Sequence, residues 1–190
     1  MSINNINLDE LFKNLNISSH ETMILKSLKS FYQKKENYQL IISIVNGTNK
    51  LSRRLIEFFV TTYALNNKCV FKLNENNKNF DVYASYKMQL RLYKKNYFDP
   101  FGRGIRIPYF FKDDCIITTT GQLNFYKWFI SKNIYKFVID NYDDIENQLS
   151  SNKKNKTSNR KHKMNKKLIK NFKPKAIMKV KKSNSIVTFD

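Results

Sequence analysis

Acidic residues are scarce in this chain: 15 Asp+Glu stand against 35 Lys+Arg in 190 residues, a formal charge of +20. Folding gains nothing from such an imbalance, which repels itself and signals a polyanionic partner. DNA and RNA come first, an anionic membrane surface second and an acidic protein third. Cysteine is nearly absent. Cys69 and Cys115, the two present, are too few for a disulfide framework and too isolated for a zinc site. Both sit in apolar runs and read as buried, reduced thiols. No apolar run approaches the roughly 18 residues of a transmembrane helix, so no membrane span is expected. Residues 1 to 20 are polar and lack the apolar core of a signal peptide.

Chemistry-bearing patterns are missing too. His20 and His162 are the two histidines, and neither has the carboxylate-paired, apolar setting of a general base. Gly102 and Gly104 make a lone G-x-G, with no third Gly in register and no phosphate-loop Lys-Ser/Thr after it. No catalytic residue, metal ligand or cofactor is assigned, and the chain reads as a non-enzyme. One exception is weighed: Asp99, Asp113 and Asp114 as carboxylates of a Mg²⁺ nuclease, against the plainer reading of the adjacent pair as a turn.

Enough apolar residues are present for a core. They make up 41% of the chain, and aromatics 14%, which suits one domain plus a tail. Leu8, Leu11, Phe12 and Leu15 recur at helical spacing. Ser18 or Ser19 is placed to cap a second helix with Met23, Ile24, Leu25, Leu28 and Phe31 on its face. Residues 38–45 fit a buried helix end or a strand. Asn46-Gly47 is a turn, Thr48 an N-cap, and Leu51, Leu55, Phe58, Phe59, Thr62 and Tyr63 lie on one side of the next helix, beside Arg53 and Arg54. Residues 69–73 alternate as a strand does, and Phe80–Tyr83 either add a second strand or lead directly into a helix.

Residues 83–128 interleave aromatics, cations and turn residues more densely than any other stretch. A helix over about 85–95 is expected to point Met88, Leu92 and Tyr86 inward. Lys87, Arg91, Lys94 and Lys95 then form one outward stripe, with no acid from Tyr83 to Phe98 to neutralise it. Phe98-Asp99-Pro100-Phe101-Gly102-Arg103-Gly104 reads as a turn that lifts Arg103 outward. A hairpin follows over 105–111 and 115–120, then a long helix from about Gln122 to Asn141, capped by Thr119 or Thr120. Tyr93, Tyr97, Phe98 and Tyr109 are candidates for base stacking. The acids Asp140, Asp143, Asp144 and Glu146 close the folded part, with a short helix from Tyr142.

Composition changes at Ser150. Residues 151–190 carry 14 Lys+Arg and one acid, +13 of the chain's +20, which leaves +7 for everything before them. With few apolar residues and no periodic face, this segment is expected to be a disordered tail. Forty flexible residues reach about 35 Å root-mean-square, enough to cover several turns of duplex. Lys153, Lys154, Arg160, Lys161, Lys163, Lys166 and Lys167 are its densest cations.

The motifs Phe58-Phe59-Val60-Thr61-Thr62-Tyr63, Ser85-Tyr86-Lys87-Met88-Gln89-Leu90, Phe98-Asp99-Pro100-Phe101-Gly102-Arg103 and Thr119-Thr120-Gly121-Gln122-Leu123-Asn124-Phe125-Tyr126-Lys127-Trp128 together resemble a family of basic proteins of nucleocytoplasmic large DNA viruses, the giant viruses. The resemblance covers roughly residues 48–140. It departs at Gly104, where the family pattern has a second basic residue, and Arg106 comes later. It implies a core viral protein associated with the genome. The heavy use of Asn, Lys, Ile and Tyr, whose codons are AT-rich, agrees.

The expected architecture is α+β: helices packed around a small antiparallel sheet or hairpin in residues 1–149, with the basic tail over 150–190. The expected function is non-catalytic DNA binding in packaging or compaction of a viral genome, in the virion core and cytoplasmic viral factory. The host nucleus is a further location if the tail's basic clusters act as a nuclear-localisation signal. RNA is the second candidate ligand, and oligomerisation is open. The expected contacts are Arg53, Arg54, Lys87, Arg91, Lys94, Lys95, Arg103, Arg106 and the tail cations. Two other readings stand beside this one: a transcription or RNA-processing accessory factor that stacks bases, and the metal-dependent nuclease.

Overall fold

A computed structural model describes residues 17–73, 79–111 and 114–152. The expected first helix at 8–15, the loop after Leu73, and the tail from Lys153, with His162 in it, lie outside these residues. The described residues up to Ser150 belong to one compact unit. Its architecture is α+β, mostly helical, with two separate two-stranded antiparallel sheets.

Helix α1 (Ser19–Tyr32) is capped by the Ser18 hydroxyl, which accepts from the Glu21 amide at 3.2 Å. An acid in this first turn also suits the positive end of the helix dipole. Leu25, Leu28 and Tyr32 set the buried face. Met23, expected inward, lies about 200° round the helix from Leu25 and is exposed. Residues 38–45 prove helical, within α2 (Lys35–Val45), where Tyr38, Ile41 and Ile44 are buried at three-residue spacing. Gly47 takes the turn with φ +77°. Thr48 is not the next cap: its hydroxyl donates to the Ser43 carbonyl. Ser52 accepts from the Leu55 amide instead and starts α3 (Arg53–Phe58).

The chain then widens into a π-helical segment (Phe59–Tyr63) before α4 (Ala64–Asn66). The wider turn was not legible in the sequence. Thr61 sits in it, and its hydroxyl donates to the Glu57 carbonyl at 2.7 Å, a local bond of the kind that perturbs helical ladders. Strands β1 (Val70–Lys72) and β2 (Asn79–Asp81) pair with Phe71 opposite Phe80. The chain runs directly from β2 into α5 (Val82–Tyr93), capped by the Asp81 carboxylate on the Ala84 amide. Strands β3 (Ile107–Phe111) and β4 (Asp114–Thr118) form the expected hairpin, Ile107 opposite Thr118.

Thr119 caps α6 (Thr120–Ser131). The expected single helix to Asn141 is interrupted: Asn133 adopts φ +54°, and α7 (Ile134–Asp140) starts anew. Residues 142–152 are helical as well. Helix α6 is the hub. Thr120 through Tyr126, with Trp128 and Phe129, are all buried, as a helix enclosed on every side requires. No helix among the described residues is long and apolar enough to cross a membrane.

Candidate nucleic-acid interface

The first turn of α6 holds the densest polar chemistry in the fold, and all of it faces inward. The Gln122 side-chain amide donates to the Pro100 carbonyl at 3.0 Å, and its oxygen accepts from the Thr118 hydroxyl at 3.1 Å. Asn124 donates to the Tyr97 carbonyl, and the Tyr126 hydroxyl to the Pro100 carbonyl. Thr120 donates to the buried Glu21 carboxylate at 2.6 Å. Trp128 reaches Ser85 of α5, and Tyr32 of α1 reaches the Leu123 carbonyl. Burying so many polar groups is tolerable because these partners satisfy them, each worth about 1 kcal/mol net and more if orphaned.

Two glycines permit this packing. A Cβ on Gly121 would stand 2.9 Å from the Asn96 carbonyl oxygen, and one on Gly102, at φ +65°, would stand 2.4 Å from Gln122 Oε1. The Thr-Thr-Gly-Gln-Leu-Asn-Phe-Tyr-Lys-Trp motif is therefore a clasp. It fastens the 96–102 loop across the start of α6.

Arg103 is tied into the same loop. Its guanidinium meets Asp99 through Nη2–Oδ1 at 2.8 Å and Nε–Oδ2 at 3.1 Å, and its amide donates to Oδ2 at 3.2 Å. Burial pushes the Asp99 carboxyl up, but the Arg103 bonds outweigh it and hold the carboxyl below its usual value. Arg103 is lifted outward as expected, its side chain 64% exposed, yet its charge is matched locally. Asp99 is correspondingly engaged, Asp114 lies exposed in β4, and Asp113 is outside the described residues.

Among the described residues Asp99–Arg103 is the only ion pair. Lys87 and Arg91 lie exposed on the outer face of α5, with the Lys87 ammonium 6.0 Å above the Tyr83 ring. The stripe does not continue as one helical face. The helix stops at Tyr93, Lys94 turns to φ +57°, and Lys94 and Lys95 follow it, exposed. Cations there complement the negative end of the helix. The Arg103–Arg106 loop passes beside this end, since a Cβ on Gly104 would lie 3.6 Å from the Asn96 carbonyl. Arg106 is exposed. Lys87, Arg91, Lys94, Lys95 and Arg106 thus belong to neighbouring segments. Arg53 and Arg54 start α3, Arg53 half-buried and Arg54 exposed. The tail cations lie outside the described residues.

Two of the residues expected on the inner face of α5 lie outside. Tyr86 is inward, but Met88 and Leu92 are 65% and 66% exposed, because Val82 and Tyr86 hold the inner face. The stacking candidates are mostly engaged. Phe98 is buried, Tyr93 lies parallel to it at 6.3 Å, Tyr97 meets His20 edge-on at 5.1 Å, and Tyr109 packs on Tyr32. Cys69 is buried as expected, whereas Cys115 is exposed, on the outer side of β4.

The fold and this surface define a small basic α+β domain with a clasped loop and an unneutralised helix face. The chain belongs to a family of unknown function, DUF7197, whose model matches residues 4–188. It is similar to the uncharacterized protein L507 of Acanthamoeba polyphaga mimivirus, 34% identical over 146 residues, which are 72% of this chain and 56% of that protein. The chain thus spans a little over half the length of that relative, and its kinship lies with a giant virus. No solved structure matches it.

Proposed function

We propose that this protein binds nucleic acid without catalysis, with viral duplex DNA as its main ligand and genome packaging or compaction as its role, in the virion core and cytoplasmic viral factory. One observation carries the reading: the described residues of a chain with charge +20 contain a single ion pair, and that pair leaves Lys87, Arg91, Lys94, Lys95 and Arg106 unmatched. Phosphates are the obvious counter-charge for such a surface. The lysine-rich segment 150–190 supplies sequence-independent attraction through counterion release, and the 87–106 surface orients the bound backbone.

The test is a salt-dependent gel shift of the full chain with duplex DNA, single-stranded DNA and RNA, repeated without residues 151–190. The expected result is tightest binding to duplex DNA, a steep fall of affinity with salt, and a shallower fall after truncation. Salt-independent or absent binding overturns the proposal. Single-strand preference lost in Tyr93→Ala/Tyr97→Ala would move the reading to an accessory factor that stacks bases.

A further inference from the structure

We infer that α5 seats in the major groove of B-form DNA, with Met88 and Leu92 covering thymine methyl groups, so that the protein prefers thymine-bearing duplex. This inference rests on the nucleic-acid reading above. A surface that needs only to hold phosphates has no use for two large apolar side chains two-thirds exposed. Met88 and Leu92 stand one turn apart on the same face, flanked by Lys87 and Arg91, with the small Ala84 one turn earlier, also exposed.

Helical spacing makes these one continuous outer strip of alternating cationic and apolar character. Its inner counterpart, Val82 and Tyr86, with Ser85 bonded to Trp128, anchors the helix to the core. The strip therefore faces away from the core.

The strip's chemistry selects its ligand. Lys87 and Arg91 on this face, Lys94 and Lys95 just beyond its end, and no acid between residues 83 and 98 repel a second copy of the face and match a polyanion. Among polyanionic surfaces, the major groove of B-form DNA is about 12 Å wide, admits an α-helix, and displays one apolar group, the thymine C5-methyl. Lys87 and Arg91 then meet phosphates at the groove walls while Met88 and Leu92 meet methyls on its floor. Double-stranded RNA offers neither feature, because its major groove is too narrow for side chains to read and uracil has no methyl.

The experiment compares full-length protein on two duplexes of one sequence, one with thymine and one with deoxyuridine throughout, at fixed salt. Affinity for the thymine duplex is expected to be higher by about fourfold per methyl covered. In Met88→Ser/Leu92→Ser, both exposed substitutions, the two duplexes should bind equally, with the salt slope unchanged and circular dichroism confirming the fold. Equal binding by the unsubstituted protein overturns the inference while leaving DNA binding standing. A thymine preference that survives in the double variant overturns it too, because another element then reads the methyls. Absence of any duplex binding by the unsubstituted protein at low salt defeats the underlying nucleic-acid reading instead.

Discussion

The outer face of α5 and the first turn of α6 belong to one continuous stretch of sequence, yet they differ in nearly every physical respect. Thr118, Thr119, Thr120, Gln122 and Asn124 are polar, buried and bonded. Lys87, Met88, Arg91 and Leu92 are cationic or apolar and exposed. Polar residues went inside and apolar ones outside, the reverse of the usual partition. The difference teaches that a dense motif and an exposed basic surface are separate things here. The motif residues keep the 96–102 loop fastened to α6, and the face available to a ligand is the plainer helix beside it.

Substitutions can break this contrast, in descending order of their effect on stability. Phe98→Ala removes a fully buried ring that touches Tyr86, Phe125 and Trp128. It should cost about 3–5 kcal/mol in denaturant unfolding. Gln122→Ala orphans the buried Thr118 hydroxyl and leaves the Pro100 carbonyl with the Tyr126 hydroxyl alone, and it should cost about 2 kcal/mol. If either change left stability intact while abolishing DNA binding, the clasp would be a contact surface after all.

Asp99→Asn should cost about 1 kcal/mol at neutral pH. The sign with pH follows from the lowered carboxyl of Asp99. Its contribution is fully present above the unfolded-state value of about 3.9. It is lost as pH falls through the lower folded value, so acid titration should narrow the gap between variant and parent below about pH 4. Lys87→Glu/Arg91→Glu should move stability by less than about 0.5 kcal/mol. The same pair should weaken DNA binding and make log K against log salt shallower by about 2. Unchanged affinity would reduce the α5 face to a solvated surface.

The sequence made some elements plain and hid others for physical reasons. The pairs Ser18/Ser19 and Thr119/Thr120 announced two helix starts, of which Ser18 and Thr119 prove to be the caps, and the β3–β4 hairpin followed from its flanking apolar runs and turn. Helix α5 was found, with Tyr86 inward and Lys87 and Arg91 outward as expected, but Met88 and Leu92 were misplaced, because the helix carries two apolar stripes at i, i+4. Val82–Tyr86 and Met88–Leu92 satisfy the same spacing, and only packing against Trp128 and Phe98 chooses between them. The break at Asn133 has no Gly or Pro to mark it; Asn tolerates the left-handed conformation there. Arg103 was correctly placed outward, but its pairing with Asp99 depends on loop closure that spacing does not specify. Buried threonines and amides leave no periodic signal at all, so the clasp was visible only as an unexplained density of residues.

The clasp also sets a schedule. Its bonds join residues far apart in the chain: Tyr32 to Leu123 across 91 positions, and Glu21 to Thr120 across 99. Such closures are paid in loop entropy before they reward the fold, which slows it. Helix α1 emerges from the ribosome before α6 and must wait for it. At about 5–20 residues per second, that wait lasts roughly 5–20 s, during which Leu25, Leu28 and Tyr32 have no hub to cover them. The domain therefore commits to its structure only when Thr119 and the turn after it arrive.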